Sequence, residues 1–325
     1  MCDYVCELDA KTIEKARREL NEDPAQRNGQ IQALKDWIHE QKWLSIPTDN
    51  FFLVGILRGT KFSQVLAREL ITYIAHEPSK RSRWSLARNP VSPEFRKCME
   101  VGHNVILPKK DAEGQTIIIA RPGVVDTSGD PYSAEALYQA TAGMMYKLAM
   151  DESVQVNGVV VILDFTGLTM KHISFGFPIY KKAAGEAKKH AYKVPINMDP
   201  HFLKELHYYN TGQVFEYLHG MAMKMEWVKE RMKIVKTKIV VHGCNFETVY
   251  DHVDKSLLPD EYLPDDYEGP SAGPIKEIVG NFIESMSAPH VLDWFDRLHS
   301  VTGVDFSLKP SNDEPREFFR KLKDS

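Results

Sequence analysis

The sequence predicts an α/β fold: a helical bundle over about the first hundred residues, then a mixed β-sheet covered by helices. Three observations carry this. The stretch Gly158-Val159-Val160-Val161-Ile162-Leu163-Asp164-Phe165-Thr166-Gly167-Leu168 holds an unbroken β-branched apolar run, then an acidic residue and a glycine-containing turn, which marks a strand covered on both faces. Strand and helix patterns alternate around it, and the residues before it begin with helical spacing alone.

Taken in order, Ile13, Ala16 and Leu20 recur at helical spacing, and Ile31, Leu34 and Ile38 repeat the pattern after the break at Asp23-Pro24. An apolar run from Phe51 to Leu57 follows the turn at Pro47, and Val65, Leu66, Leu70, Tyr73 and Ile74 trace another helix face. Pro78, Pro90 and Pro93 with Asn89 read as connector. Thr116 to Ala120 reads as a strand, and Leu137, Ala140, Met144 and Leu148 line one face of a helix over 133–150. Further strands are expected at Leu203 to Tyr209 and Lys238 to His242, with a basic helix over 181–193 between the central strand and the first of these.

Residues 211–236 predict a long helix, because Val214, Leu218, Met221, Met225, Val228 and Met232 recur at spacings of four and three. From 224 to 238, Lys224, Lys229, Arg231, Lys233, Lys236 and Lys238 stand against Glu226 and Glu230, a local charge of +4. Composition alone reads this as a core-packing helix with a solvated face. Two pentads, Leu258-Pro259-Asp260-Glu261-Tyr262 and Leu263-Pro264-Asp265-Asp266-Tyr267, then form a loop, and Ile275, Ile278, Val279, Phe282, Ile283 and Met286 predict one more amphipathic helix. The expected domains are a helical unit over 1–100, an α/β unit over 101–270, and a helical extension with a polar tail over 271–325.

The formal charge of −4 argues against a general nucleic-acid binder. The cysteines at 2, 6, 98 and 244 have no zinc-like or redox spacing, so a reducing, cytoplasmic home is expected, and Cys98 and Cys244 read as small buried hydrophobes. No run is long and apolar enough to cross a bilayer, and no secretory signal opens the chain.

Phosphate-loop, dinucleotide, zinc-protease and nucleophile-elbow motifs are all missing. Asp164 and His172 could be drawn as a base and its partner, although an aspartate leaving a strand more commonly bonds its own turn. The twelve histidines show no metal-ligand grouping, and neither a metal nor a cofactor is expected.

Several stretches together resemble the CRAL-TRIO lipid-binding family, in its tocopherol- and retinaldehyde-binding branch. Ile56-Leu57-Arg58-Gly59-Thr60-Lys61-Phe62 is similar to the family's LRxxKF turn, and Asp164-Phe165-Thr166-Gly167-Leu168 with His172 to its DxxGx…H strand end. Leu206-His207-Tyr208-Tyr209-Asn210 matches IHxxN, Val241-His242-Gly243 matches xHG, and the first pentad matches LPxEY, all in the family's order. The sequence departs from the pattern where a Lys-Pro pair is usual in the gate helix, here Met225-Glu226-Trp227, and where the second pentad replaces a glycine pair.

The resemblance implies an α/β unit holding one hydrophobic small molecule (a tocopherol, retinoid, carotenoid or similar lipid) in an apolar pocket under a mobile gate helix, here residues 211–236. The expected pocket and gate residues are Val161, Leu163, Val214, Phe215, Leu218, Met221 and Met225. Lys61, Lys204, Lys229, Arg231, Lys233, Lys236 and Lys238 are the expected contacts to an anionic, phosphoinositide-bearing membrane. The implied activity is lipid transfer with no bond made or broken, by a cytoplasmic protein transiently peripheral to membranes. The alternative is a membrane-recruited, lipid-sensing adaptor.

Overall fold

The computed structural model describes residues 3–76, 89–90, 92–176, 178–179, 203–212, 215–216, 220 and 237–309. Helix α1 (Ala10–Leu20) starts where Asp9 accepts from the Thr12 backbone N–H at 2.8 Å, and ends at Asn21 in the left-handed region. Helices α2 (Arg27–Glu40), α3 (Asn50–Gly59) and α4 (Gln64–His76) follow; the run from Phe51 to Leu57 lies in α3, where Leu53, Val54 and Leu57 are fully buried. The expected helical bundle forms.

Proline at 93 begins a helix where a connector was expected. In α5 (Pro93–Glu100), Ser92 caps the N-terminus by accepting from Phe95 N–H at 3.2 Å, and Pro93 occupies the first turn, where its missing N–H costs nothing. Phe95, Cys98 and Met99 are buried on its inner face.

The sheet has the order β2-β3-β4-β5-β6: β2 (Asn104–Lys110), β3 (Thr116–Ala120), β4 (Val159–Asp164), β5 (Leu203–Tyr209) and β6 (Lys238–Gly243). The β2–β3 pair is antiparallel and the other three pairs are parallel. It is a mixed sheet, with the apolar run at 159–164 as its central strand. Helices α6 (Ala134–Leu148) and α7 (Glu152–Asn157) connect β3 to β4.

After the pentad loop, α8 (Ile275–Met286) packs against β2 and α5, and α9 (Pro289–Val301) buries Trp294, Phe295 and Leu298. The short strand β7 (Gly303–Val304) then pairs antiparallel with β1 (Leu44–Ser45), returning the C-terminal elements to the N-terminal helices.

The N-terminal helices meet α7 through a buried ion network. Arg58, fully buried, donates to both oxygens of Glu22 at 2.8 and 2.9 Å and to Gln155 at 2.8 Å. Arg27 donates to the same Glu22 at 2.5 Å, and the Tyr4 ring lies 5.8 and 5.9 Å from the two guanidinium carbons. The Tyr4 hydroxyl donates to Glu152. The basic helix expected over 181–193, and most of that expected over 211–236, lie outside the described residues.

Candidate functional site

Side chains of aligned residues in parallel strands share a face, so the register sorts the sheet into two. One face carries Ile117, Ile119, Val160, Ile162 and His207, all buried. The other carries Ile118, Val161, Leu206 and Ile239 in one row, and Leu163, Tyr208 and Val241 in the next. Along the first row burial falls steadily, from Ile118 at 3% exposed through half-buried Val161 and Leu206 to Ile239 at 43%. Val241 is 58% exposed. This face is apolar and opens toward the β6 edge.

Three aromatic rings stand at one end of it. Phe165, just past β4, stacks on Tyr208 at 6.0 Å, and Phe215 lies 5.3 Å from Phe165 and 5.0 Å from Tyr208. Burial raises the pKa of the Tyr208 phenol, keeping it protonated and able to donate. Val161, Leu163 and Phe215 are thus brought to one surface. Val214, Leu218, Met221 and Met225 lie outside the described residues.

At the strand ends, Asp164 accepts from the backbone N–H and hydroxyl of Thr166 at 2.9 and 2.5 Å. Its other oxygen accepts from Tyr262 of the first pentad at 2.5 Å, and Asn210 donates to Thr166 at 2.9 Å. Burial first, and Asp164 second, raise the Tyr262 pKa. The Asp164 turn also sits against Gly123, where a Cβ would fall 2.1 Å from the Thr166 carbonyl oxygen. His172 bonds Thr169 at 2.8 Å through Nδ1, so Asp164 and His172 form no pair. Asp164 therefore ties the strand end to the loop that follows β6.

On the buried face, His207 Nδ1 lies 2.9 Å from His242 Nε2, and His242 Nδ1 lies 2.6 Å from the Thr248 hydroxyl. Burial holds the His207 imidazole down to about 4 and lowers that of His242. Among the described residues no three His, Cys, Asp or Glu side chains could hold a metal ion. Cys98 is buried and its thiol is pushed up to about 11 by that burial. Cys244, expected to be buried, is exposed, because it lies just past the end of the edge strand β6.

Of the expected basic contacts, Lys204 is the extra residue at the β4–β5 register shift and pairs with Glu19 at 3.4 Å. Lys238 pairs with Glu205 at 3.0 Å, on the face opposite the open one. Lys61, in the left-handed region at φ 51, borders a groove of about 320 Å³ with Asn21, Asp23, Gln26, Gln30, Phe62 and Ser63. Lys61 and Lys204 both lie beside the end of α1, through Asn21 and Glu19 respectively. Lys229, Arg231, Lys233 and Lys236 lie outside the described residues.

Sequence reasoning passed over Tyr208, Ile239 and Val241 as members of this face. Their alternation along β5 and β6 was the available signal, but alternation does not say which face lies open.

No described helix is long and apolar enough to cross a membrane. The CRAL/TRIO domain family matches residues 100–262. Human "Alpha-tocopherol transfer protein-like" (Homo sapiens) is 30% identical over 264 residues, covering 80% of this chain and 71% of that protein. Clavesin-1 of Pongo abelii is 24% identical over 318 residues, covering 97% and 83%, and human clavesin-2 is 24% identical over 257 residues, covering 78% and 74%.

Proposed function

The chain belongs to the CRAL/TRIO domain family, and from that premise we propose that it binds one small hydrophobic lipid on the open sheet face and transfers it between membranes. The observation that carries this reading is the apolar row running from buried Ile118 to exposed Ile239, flanked by the rings of Phe165, Tyr208 and Phe215. The expected gate, residues 211–236, joins β5 to β6 in the chain. We assign them to the open face, where Val214, Leu218, Met221 and Met225 would complete a pocket with Val161 and Leu163. The name of the tocopherol-transfer relative supports the same class of cargo.

The physical gain is kinetic. A lipid with about twelve buried methylenes faces a barrier of roughly 10 kcal/mol on entering water, at about 0.8 kcal/mol each. An apolar site removes most of that barrier and accelerates exchange on the order of 10⁷-fold. The activity is carriage, with the cargo leaving as it entered.

Docking is assigned to an anionic, phosphoinositide-bearing surface met by Lys61, Lys229, Arg231, Lys233 and Lys236. Lys204 and Lys238 contribute less, because each already faces a carboxylate. A net +4 segment gains up to about 4 kcal/mol at roughly 1 kcal/mol per charge before salt screening.

The deciding experiment is exchange of a fluorescent lipid between two liposome populations, with native mass spectrometry of the purified protein to identify its cargo. Exchange faster than the spontaneous rate, with one lipid per chain, supports transfer. Recruitment to liposomes without accelerated exchange would make the protein a membrane-recruited adaptor.

A further inference from the structure

The lipid face leaves the second pentad, Leu263-Pro264-Asp265-Asp266-Tyr267, without a role. Its Tyr267 shares one ammonium with Tyr250, which lies on the turn Phe246–Asp251 after β6. Lys255 Nζ stands 4.5 Å from the Tyr250 ring centroid and 5.5 Å from that of Tyr267. All three residues are half-buried, so the site is open to water.

Both rings are held by groups outside the site. The Tyr250 hydroxyl donates to the Tyr262 carbonyl at 2.8 Å, and its ring meets Phe246 edge-on at 5.7 Å. The Tyr267 hydroxyl donates to the Pro270 carbonyl at 3.2 Å, and Gly269 lies so close to the ring that a Cβ there would fall 2.4 Å from its Cζ. With both hydroxyl protons committed to the backbone, the pair offers Lys255 its ring faces. Lys255 itself opens the short turn Lys255–Leu257, capped where Asp254 accepts from Ser256 N–H at 2.8 Å.

The surrounding charge makes this placement informative. Residues 246–268 hold eight carboxylates, all exposed, and Lys255 is their one Lys or Arg, a local charge of −7 in a chain of −4. Among the described residues Lys255 still forms no ion pair. An ammonium in so acidic a stretch lies instead over two aromatic rings, where the ring quadrupole attracts it.

We propose that Tyr250 and Tyr267 form a cation site for the trimethylammonium of a choline headgroup, with the Lys255 ammonium as its resident stand-in.

The chemistry of the stand-in selects the ligand. A primary ammonium from outside gains nothing over Lys255, which reaches the rings without giving up translational freedom. A trimethylammonium does gain, because aromatic faces favour quaternary ammonium groups. Lys255, once displaced, is a point charge on a flexible four-carbon stem. The phosphodiester that a choline headgroup carries beside its trimethylammonium supplies the anion for it. A trimethyllysine side chain supplies none, which favours the headgroup as the source. The eight carboxylates attract the cationic end and oppose a purely anionic lipid, so the site selects zwitterionic headgroups over acidic ones. That the headgroup comes from a membrane rests on the carrier reading; the cation site stands apart from it.

The test is an NMR titration of the full chain with glycerophosphocholine, which has no acyl chain to enter the proposed lipid face. Ring currents hold the Lys255 ε-methylene resonance upfield, and the expected result is its saturable return to the ordinary lysine position. Glycerophosphoethanolamine, with the same phosphodiester but a primary ammonium, leaves that resonance in place at equal concentration. Gly269→Ala keeps both rings but pushes Tyr267 aside, and Tyr267→Leu removes one ring. Each weakens glycerophosphocholine binding about tenfold. Should these loop variants fail to fold, Lys255→Ala decides: it vacates the rings, and tetramethylammonium, read on the two tyrosine ring resonances, binds about tenfold more tightly than to wild type. A lysine resonance that does not move in wild type, or folded variants that bind as wild type does, overturns the site. Equal displacement by glycerophosphoethanolamine overturns the trimethylammonium assignment, and tighter binding of a trimethyllysine peptide than of glycerophosphocholine overturns the headgroup as its source. An intact titration in a protein that exchanges no lipid between liposomes would overturn the carrier reading and leave this site standing.

Discussion

Tyr262 and Asp164, 98 positions apart, join the pentad loop to the end of the central strand through one hydrogen bond of 2.5 Å. Tyr262→Phe keeps the ring against Phe246 at 4.8 Å and removes only the donor. A hydrogen bond to a charged group contributes about 1.5–3 kcal/mol, so urea unfolding should show a loss of about 2 kcal/mol; a loss below about 0.5 kcal/mol would mean that the Thr166 donors suffice. Titration gives a second test. His103 and His207 are both held to about 4 by burial, so the unfolded chain takes up protons first as pH falls below 6.5, and stability is lost from there toward 4. Glu69 on α4 acts in the opposite sense: desolvation raises its carboxyl from 4.5 to about 7, so its contribution is present in acid and lost as pH rises through 7. The urea midpoint of wild type should therefore be highest near pH 7, and Glu69→Gln should raise it at pH 8 while leaving it nearly unchanged at pH 4.5.

Among the strands, β6 makes the sharpest test of the proposed site, because Ile239 and Val241 are apolar yet 43% and 58% exposed. A substitution at so exposed a position changes stability by only about 0.5 kcal/mol, whereas a charge on a lipid-lining surface opposes burial of the cargo. Val241→Asp should therefore abolish lipid loading, seen as loss of the bound species in native mass spectrometry, with thermal unfolding nearly unchanged. Full loading in that variant would move the lipid elsewhere. β4 was legible in the sequence because a covered strand needs an unbroken apolar run, whereas β5 and β6, which mix apolar with charged residues, were legible from their place in the strand–helix alternation. β2 was not, since Pro108, Lys109 and Lys110 give its far half the look of a loop. α5 was missed because proline signals a break or a first helical turn, and only the Ser92 cap decides between them. Val161 and Leu163 could be placed on one face of β4 from their alternation along the strand. The open side of Tyr208 and Val241 and the His207–His242 link could not, because both follow from cross-strand register, which local periodicity does not contain.

The joint between the helical bundle and the sheet depends on a buried charge arrangement with Glu22 at its centre. Glu22 is fully buried and accepts from two arginines, Arg58 of α3 and Arg27 of α2, while Arg58 reaches on to Gln155 of α7, the helix that leads into β4. Removing one member of a buried pair typically costs about 3–5 kcal/mol, because the partner is left charged and unpaired. Here the three members are not equivalent. Glu22→Gln leaves two buried guanidinium groups facing one neutral amide, with Glu152, 4.0 Å from Arg58, as the more distant remaining carboxylate. Arg27→Met leaves Glu22 with both of its Arg58 contacts, at 2.8 and 2.9 Å. Arg58→Met leaves Glu22 with Arg27 but strips Gln155 of its donor, so it falls between the two. The expected order of destabilisation is Glu22→Gln, then Arg58→Met, then Arg27→Met, with the first near 4 kcal/mol by denaturant unfolding. Because α1, α3 and α7 all meet at this joint, Glu22→Gln should also raise backbone exchange in 152–157 ahead of global unfolding. Arg27→Met ranking above Glu22→Gln would show that the glutamate is not what holds bundle and sheet together.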